Sequence, residues 1–261
     1  MKKIPFTTEA ELEHQLYDFK IIFAYHSGKI ENDKITFHDT RDIFENGSVK
    51  GYTGDLKTLL EIENQKICFE YIKPYITKRK PLNLEFVKKV HYLLTKGTYD
   101  EFRYKVRQER PGEFKKHDYV TGVNEVGSPP EMVEDELKDL LLEIQNVSDE
   151  QALVAGAYFH ARFEHIHPFA DGNGRVGRTL MNYYFMIHGI APVIIHNEYK
   201  NLYYEVLEKY DLDEDLEPLK KFIEFEQENT WAKAKSQKLK GLSNFIEENE
   251  EQQEENDEME M

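Results

Sequence analysis

An all-α protein with one small β-hairpin is what this sequence predicts. Three observations carry that reading. Apolar residues recur at helical spacing through most of the chain, as in Leu12, Leu16, Phe19 and Phe23. Capping signatures stand ahead of several such runs. The Gly, Pro, Val, Thr and Tyr mixture that suits strands and turns is concentrated at 112–130, GEFKKHDYVTGVNEVGSPP.

The elements follow in order. Thr8 and Glu11 have capping-box spacing and open a helix expected over 8–26. Residues 35–54, ITFHDTRDIFENGSVKGYTG, read as an irregular link to a second helix at 55–72 with Leu56, Leu59, Leu60 and Cys68 to Tyr71. Asn83 follows Pro81 and caps a helix at 83–95. A helix at 131–146 is led by acids, which favour the positive end of the helix dipole. Ser148 and Gln151 form another capping box, opening a helix through LVAGAYFHARFEHI. Further helices are expected at 174–188, 199–210 and 216–238.

The bulk numbers bound the class. The 261 residues are 39% hydrophobic, enough for a sizeable core. No apolar run approaches the ~18 residues of a membrane span, and MKKIPFTTEAELEH has no apolar stretch resembling a secretory leader. The single cysteine, Cys68, fits a reducing, cytoplasmic setting. The net charge is −16, of which nine acids fall in the last 15 residues, 247–261. That tail is expected to be solvated or a frayed helix. No basic stripe points to nucleic acid.

HPFADGNGRVGR, residues 167–178, carries the chemistry. Its Gly172, Gly174 and Gly177 have the spacing of a dinucleotide turn, but ALVAGAYFHARFEHIHPF ahead of it suits a helix and not a buried strand. A phosphate-cradling P-loop fails too, since it needs a strand before it and Lys where Arg178 stands. What remains is helix, glycine-rich turn, helix. Gly172, Asn173 and Gly174 can bring backbone N–H groups to an anion, beside a helix N-terminus. Arg175 and Arg178 share a face of that second helix, where they repel one another and the dipole. A bound polyphosphate reverses the sign of each effect. Asp171 beside such a ligand calls for a bridging cation, Mg²⁺. His167 can take a proton from an attacking hydroxyl. A zinc site from His165, His167 and Asp171 leaves both arginines unexplained. His160 and His165 read as structural.

The stretch resembles the Fic family signature, H-x-F-x-[DE]-G-N-G-R-x-x-R, at every defined position, and the resemblance extends over about 80–215. It implies a mainly helical Fic fold with a β-hairpin flap, and transfer of AMP from Mg²⁺-ATP to a Ser, Thr or Tyr hydroxyl of a protein target or of the enzyme itself. His167 is then the general base and Asp171 the Mg²⁺ ligand. Gly172, Asn173 and Gly174 cradle the phosphates, with Arg175 on the β- and Arg178 on the γ-phosphate. The flap would be Glu113 to Gly122, with Lys116, His117, Asp118, Tyr119, Val120 and Thr121 docking the target. Tyr203 and Tyr204 fall where many relatives line the nucleoside pocket. Asp211 stands where some relatives have Asn.

SGKIEN, Ser27 to Asn32, fits the family's inhibitory pattern [ST]-x-x-x-E-[GN]. It implies that Glu31 pairs with Arg178 and displaces the γ-phosphate, with Ser27 and Asn32 framing it. The expected organisation is an N-terminal helical region at 1–75 carrying that motif, a catalytic core with C-terminal helices at 76–240, and the acidic tail at 241–261. Two other readings stand beside AMP transfer: a hydrolase that removes AMP, with Glu31 orienting water, and a nucleotide-binding protein without catalysis. A CDP- or UDP-linked donor and a homo-oligomer are compatible with the same residues. Neither nucleic acid nor membrane is expected as a partner.

Overall fold

The computed structural model describes residues 2–119 and 127–232. They form helices α1 (Glu9–Glu31), α2 (Phe37–Asn46), α3 (Leu56–Thr77), α4 (Leu84–Thr95), α5 (Val133–Gln145), α6 (Ala152–Ile166), α7 (Asn173–Ile187) and α8 (Lys200–Asp213), with a last helix, α9, at 217–232. Among the described residues the extended pairing is one antiparallel bridge, Lys3 with Ile190. The all-α class is thus as expected. No described helix is long and apolar enough to cross a membrane.

Side-chain caps set the starts of α1 to α4. Thr8 and Glu11 make both halves of the capping box at α1. Asn83 accepts from the Phe86 N–H at 2.9 Å. Three local expectations need correction. The link at 35–54 contains α2, because Thr36 caps it by accepting from Asp39 N–H and Ile43 buries against Ile35 and Ile62. Ser148 and Gln151 do not form a capping box; Gln151 N–H instead donates to the Ser148 carbonyl at 3.0 Å, closing a turn ahead of α6. The described flanks of the flap, 113–119 and 127–130, contain no strand. Their N–H groups are committed elsewhere: Lys115 N–H to the Pro168 carbonyl at 2.9 Å and Lys116 N–H to the Glu109 carboxylate at 3.0 Å. Val120 and Thr121 lie outside the described residues, as do all of 233–261, including the expected tail at 241–261.

Helix α7 is the centre. Every residue in it except Gly174 is buried, which is the pattern of a helix packed on all sides. It packs against α1, α3, α4 and α6. Leu12, Leu16 and Phe19 of α1 belong to the same apolar cluster as Leu180, Met181 and Phe185 of α7, so the N-terminal helix shares the core of the signature.

The closest seam is between α6 and α7. A Cβ on Gly156 would stand 2.3 Å from Phe185 Cε1. One on Gly177 would stand 2.4 Å from Glu164 Oε1. That shielded oxygen has no hydrogen-bond partner, and neither does His160 Nδ1, 3.9 Å away. Burial raises the Glu164 pKa to about 8 and lowers that of His160 to about 3.

Two predictions follow from this seam. Gly156→Ala gains about 1 kcal/mol of helix propensity but forces overpacking worth roughly 1–3 kcal/mol. A lowered urea midpoint is therefore expected, and a raised one contradicts the packing. Glu164 keeps its proton in the folded protein up to pH about 8, whereas the unfolded carboxyl loses it near its ordinary value of 4.5. Folded stability from this group is full at low pH and falls as pH rises towards 8. The melting temperature of Glu164→Gln should thus gain on wild type between pH 5 and pH 8; parallel curves would contradict the burial.

Candidate active site

α6 ends at His167, whose backbone is left-handed with φ 49° and ψ 62°, a conformation that is strained for a non-glycine residue. The chain turns through Pro168 to Asp171 and re-enters a helix at Gly172, which caps α7 with φ 83°. Only glycine fits there, since a Cβ would also lie 2.6 Å from Thr95 Cγ2.

The turn is fixed from inside. The Asn173 carboxamide accepts from Phe169 N–H at 2.9 Å and donates to the Phe169 carbonyl at 2.8 Å. Phe169 is fully buried and stacks on His91 with ring centres 3.7 Å apart. His91 takes the Gly112 N–H on Nδ1 at 2.8 Å and donates from Nε2 to the Asp171 carbonyl at 3.0 Å. Burial lowers its pKa to about 3, so this single tautomer persists at neutral pH. One neutral imidazole therefore joins the loop before the flap to the signature loop.

The arginines face the start of α7 from within. Arg178 is 1% exposed. Its Nη2 donates to Glu31 Oε1 at 2.7 Å and to the Ser27 carbonyl at 2.9 Å, and its Nε donates to Ser27 Oγ at 3.1 Å. Nη1 has no partner. Arg175 is 3% exposed; its Nε and Nη1 make no hydrogen bond. It stands 3.3 Å from Glu61 and 3.8 Å from Asp171. A Cβ on Gly174 would lie 2.4 Å from Glu31 Oε1 and 2.9 Å from Arg178 Nη1. The Glu31 carboxylate thus lies against the bare backbone at the N-terminus of α7, where an anion is most favoured. Buried guanidinium nitrogens without a hydrogen bond are costly, and Arg175 Nε, Arg175 Nη1 and Arg178 Nη1 are three of them.

His167 is half-buried. Burial, with the Lys115 ammonium nearby, lowers its pKa to about 4. The ring is neutral and its lone pair is free to take a proton. Asp171 keeps a partly exposed carboxylate, 3.3 Å from Arg103. Among the described residues no three His, Cys, Asp or Glu side chains assemble as a metal cage.

The remaining expected residues divide. Tyr203 is buried, with its hydroxyl 2.8 Å from His160 Nε2 and its ring 5.8 Å from the Arg178 guanidinium, whereas Tyr204 is 42% exposed. His165 faces Asp211 at 2.8 Å. Asn32 ends α1 and donates to Glu61 at 2.8 Å. In the flap, buried Glu109 gathers Lys116 N–H, His117 Nδ1 at 2.9 Å and the Tyr119 hydroxyl at 2.9 Å; Asp118 is exposed. Glu61, His91, Arg103 and Glu109 were not singled out from the sequence. The one available signal was a polar residue on an apolar stripe, as for His91 in FVKKVHYLL.

Residues 81–185 match the Fic/DOC family. A protein adenylyltransferase Fic from Drosophila persimilis is 29% identical over 201 residues, 76% of this chain and 37% of that protein. The chain spans less than two fifths of the length of that relative. A Fic domain containing signaling protein from Bacteroides thetaiotaomicron has the same fold, with a TM-score of 0.73 at 22% identity over 86% of this chain and 88% of that one. Fic-1 from C. elegans gives 0.74 at 22% identity over 91% and 68%. The left-handed histidine, the glycine-capped α7 and the two buried arginines thus lie within the stretch that matches the Fic/DOC family, in a chain that has the helical fold of these Fic proteins.

Proposed function

We propose that this chain is an autoinhibited protein adenylyltransferase, moving AMP from ATP to a hydroxyl side chain of a protein. The observation that carries this reading is the Glu31 carboxylate on Arg178, lying over Gly174 at the N-terminus of α7. An acid from a helix 147 residues away in sequence occupies the place that the anion-binding geometry prepares. The adenylyltransferase names of the Drosophila relatives support the same chemistry.

On this reading the bare backbone at Gly172 to Gly174 receives the phosphates, and the unpartnered donors of Arg175 and Arg178 bind the β- and γ-phosphates. His167, neutral because burial lowers its pKa, takes the proton of the target hydroxyl as its oxygen attacks the α-phosphorus. Pyrophosphate leaves as the bond to the β-phosphate oxygen breaks. Base catalysis of this kind contributes on the order of 10²–10⁴ in rate. Phosphate charge near the ring would raise its pKa from about 4 towards the working range. Asp171 fits Mg²⁺, which is commonly held by one carboxylate together with substrate phosphates. Bound there, Mg²⁺ would neutralise charge on the phosphate oxygens. Tyr203 and Tyr204 would flank the nucleoside, residues 116–121 would dock the target, and residues 1–75 would regulate the core. The lock works by exchange: the γ-phosphate and the Glu31 carboxylate want the same guanidinium.

A second direction has its own support. The Glu31 side chain is 33% exposed, so water can reach its carboxylate. The same carboxylate can therefore orient a water for hydrolytic removal of AMP from a modified protein.

Wild type, Glu31→Gly and Glu31→Gly/His167→Ala, each incubated with Mg²⁺-ATP and followed by intact mass, test the proposal. An AMP adduct is expected in Glu31→Gly and in neither of the others. An adduct that survives His167→Ala overturns the role of the base. Equal modification of wild type and Glu31→Gly overturns the lock.

A further inference from the structure

The two arginines are held in different ways, and the difference leads to α3. Arg178 is bound directly by α1 through Glu31 and Ser27. Arg175 instead faces Glu61 of α3 at 3.3 Å, without hydrogen-bond alignment, so its Nε and Nη1 stay open. Glu61 is 4% exposed. A carboxylate buried that deeply has to be compensated on both oxygens. Oε1 meets Arg175, and Lys57 lies 4.0 Å from it at the surface. Oε2 accepts from Asn32 Nδ2 at 2.8 Å. Asn32 is the C-cap of α1, directly after Glu31. Its carboxamide is fixed at both ends, donating also to Thr58 Oγ at 3.1 Å and accepting from Lys34 N–H at 3.1 Å.

Arg175 thus stands between two acids, Glu61 at 3.3 Å and Asp171 at 3.8 Å. Without Glu61 the guanidinium has one carboxylate left to approach. It would close on Asp171 and cover the oxygen face that a metal–phosphate group needs.

We infer that Glu61 is a positioning residue for Arg175, set in place by Asn32. The end of α1 then governs both arginines, Arg178 through Glu31 and Arg175 through Asn32 and Glu61. This rests on the nucleotide reading above, which assigns the β-phosphate to Arg175 and the γ-phosphate to Arg178.

The phosphate ladder separates the two arms. Binding of AMP, ADP and ATP in the presence of Mg²⁺ would be measured by calorimetry for wild type, Glu31→Gly, Asn32→Ala, Glu61→Gln, Glu61→Asp and Asn32→Ala/Glu61→Gln. Glu61→Gln should weaken ADP and ATP alike, on the order of tenfold for one charged contact, and leave AMP unchanged. Unchanged AMP binding also reports an intact fold. Asn32→Ala should act in the same direction, with the double variant no weaker than Glu61→Gln alone, because both work through one contact. Glu61→Asp should restore part of the loss. Glu31→Gly should instead raise the preference for ATP over ADP. ADP affinity indifferent to Glu61, equal losses for AMP and ADP, or additive losses in the double variant would each overturn the inference while leaving the nucleotide reading intact. Failure of every nucleotide to bind would overturn both.

Discussion

Arg178 is a guanidinium buried near the positive end of a central helix. Burial removes its hydration, and the dipole of α7 opposes its charge. Neither effect is tolerable without an anion in contact. In this structure the anion is the Glu31 carboxylate, and through it the end of α1 is bound to α7. The flanking contacts serve the same pairing. Ser27 takes two more of the guanidinium's donors, Asn197 contacts His26 at 2.7 Å, and Gln65 binds the Ala24 carbonyl at 2.8 Å. A Cβ on Gly28 would come within 2.7 Å of Ile35 Cδ1, so that side chain packs directly on the helix backbone. The last turns of α1 are therefore packed and hydrogen-bonded on several sides, and their most strongly charged contact is the Glu31–Arg178 ion pair.

The loop that opposes this lock is built for rigidity. Asn173 ties Phe169 to the start of α7, and His91 ties the Asp171 carbonyl to Gly112. Their hydrogen bonds go to main chain, so the loop keeps its shape whichever anion is present. On the proposed function, a fixed cradle with an exchangeable occupant would make a site that is inhibited without being unfolded.

Much of this was legible in the sequence, for physical reasons. Caps are local, so Thr8 and Asn83 marked helix starts correctly. His167, Asp171, Arg175 and Arg178 sit within one turn and one helix, so spacing alone brings them together. Glu31 could be paired with Arg178 only through its motif, because no local rule spans 147 positions. What stayed hidden depends on tertiary contact. α2 was masked by the glycines that follow it, although Thr36 and Ile43 already supplied a cap and an apolar anchor. Glu61, His91 and Glu109 are buried polar residues whose partners come from other helices and loops, and nothing in their own neighbourhood names those partners. The flap's described half avoids strand pairing because Glu109 and Pro168 take its N–H groups, a competition no propensity scale contains.

On the proposed function, the γ-phosphate and Glu31 compete for one guanidinium. Hydrogen exchange at residues 27–32 in wild type, compared at saturating Mg²⁺-ADP and saturating Mg²⁺-ATP, tests it most directly, since the two ligands differ only in that phosphate. Faster exchange at the end of α1 is expected with ATP than with ADP, as Glu31 is displaced and the turn loosens. Equal protection with both ligands bound would contradict it, and would mean that Arg178 keeps Glu31 whatever occupies the cradle.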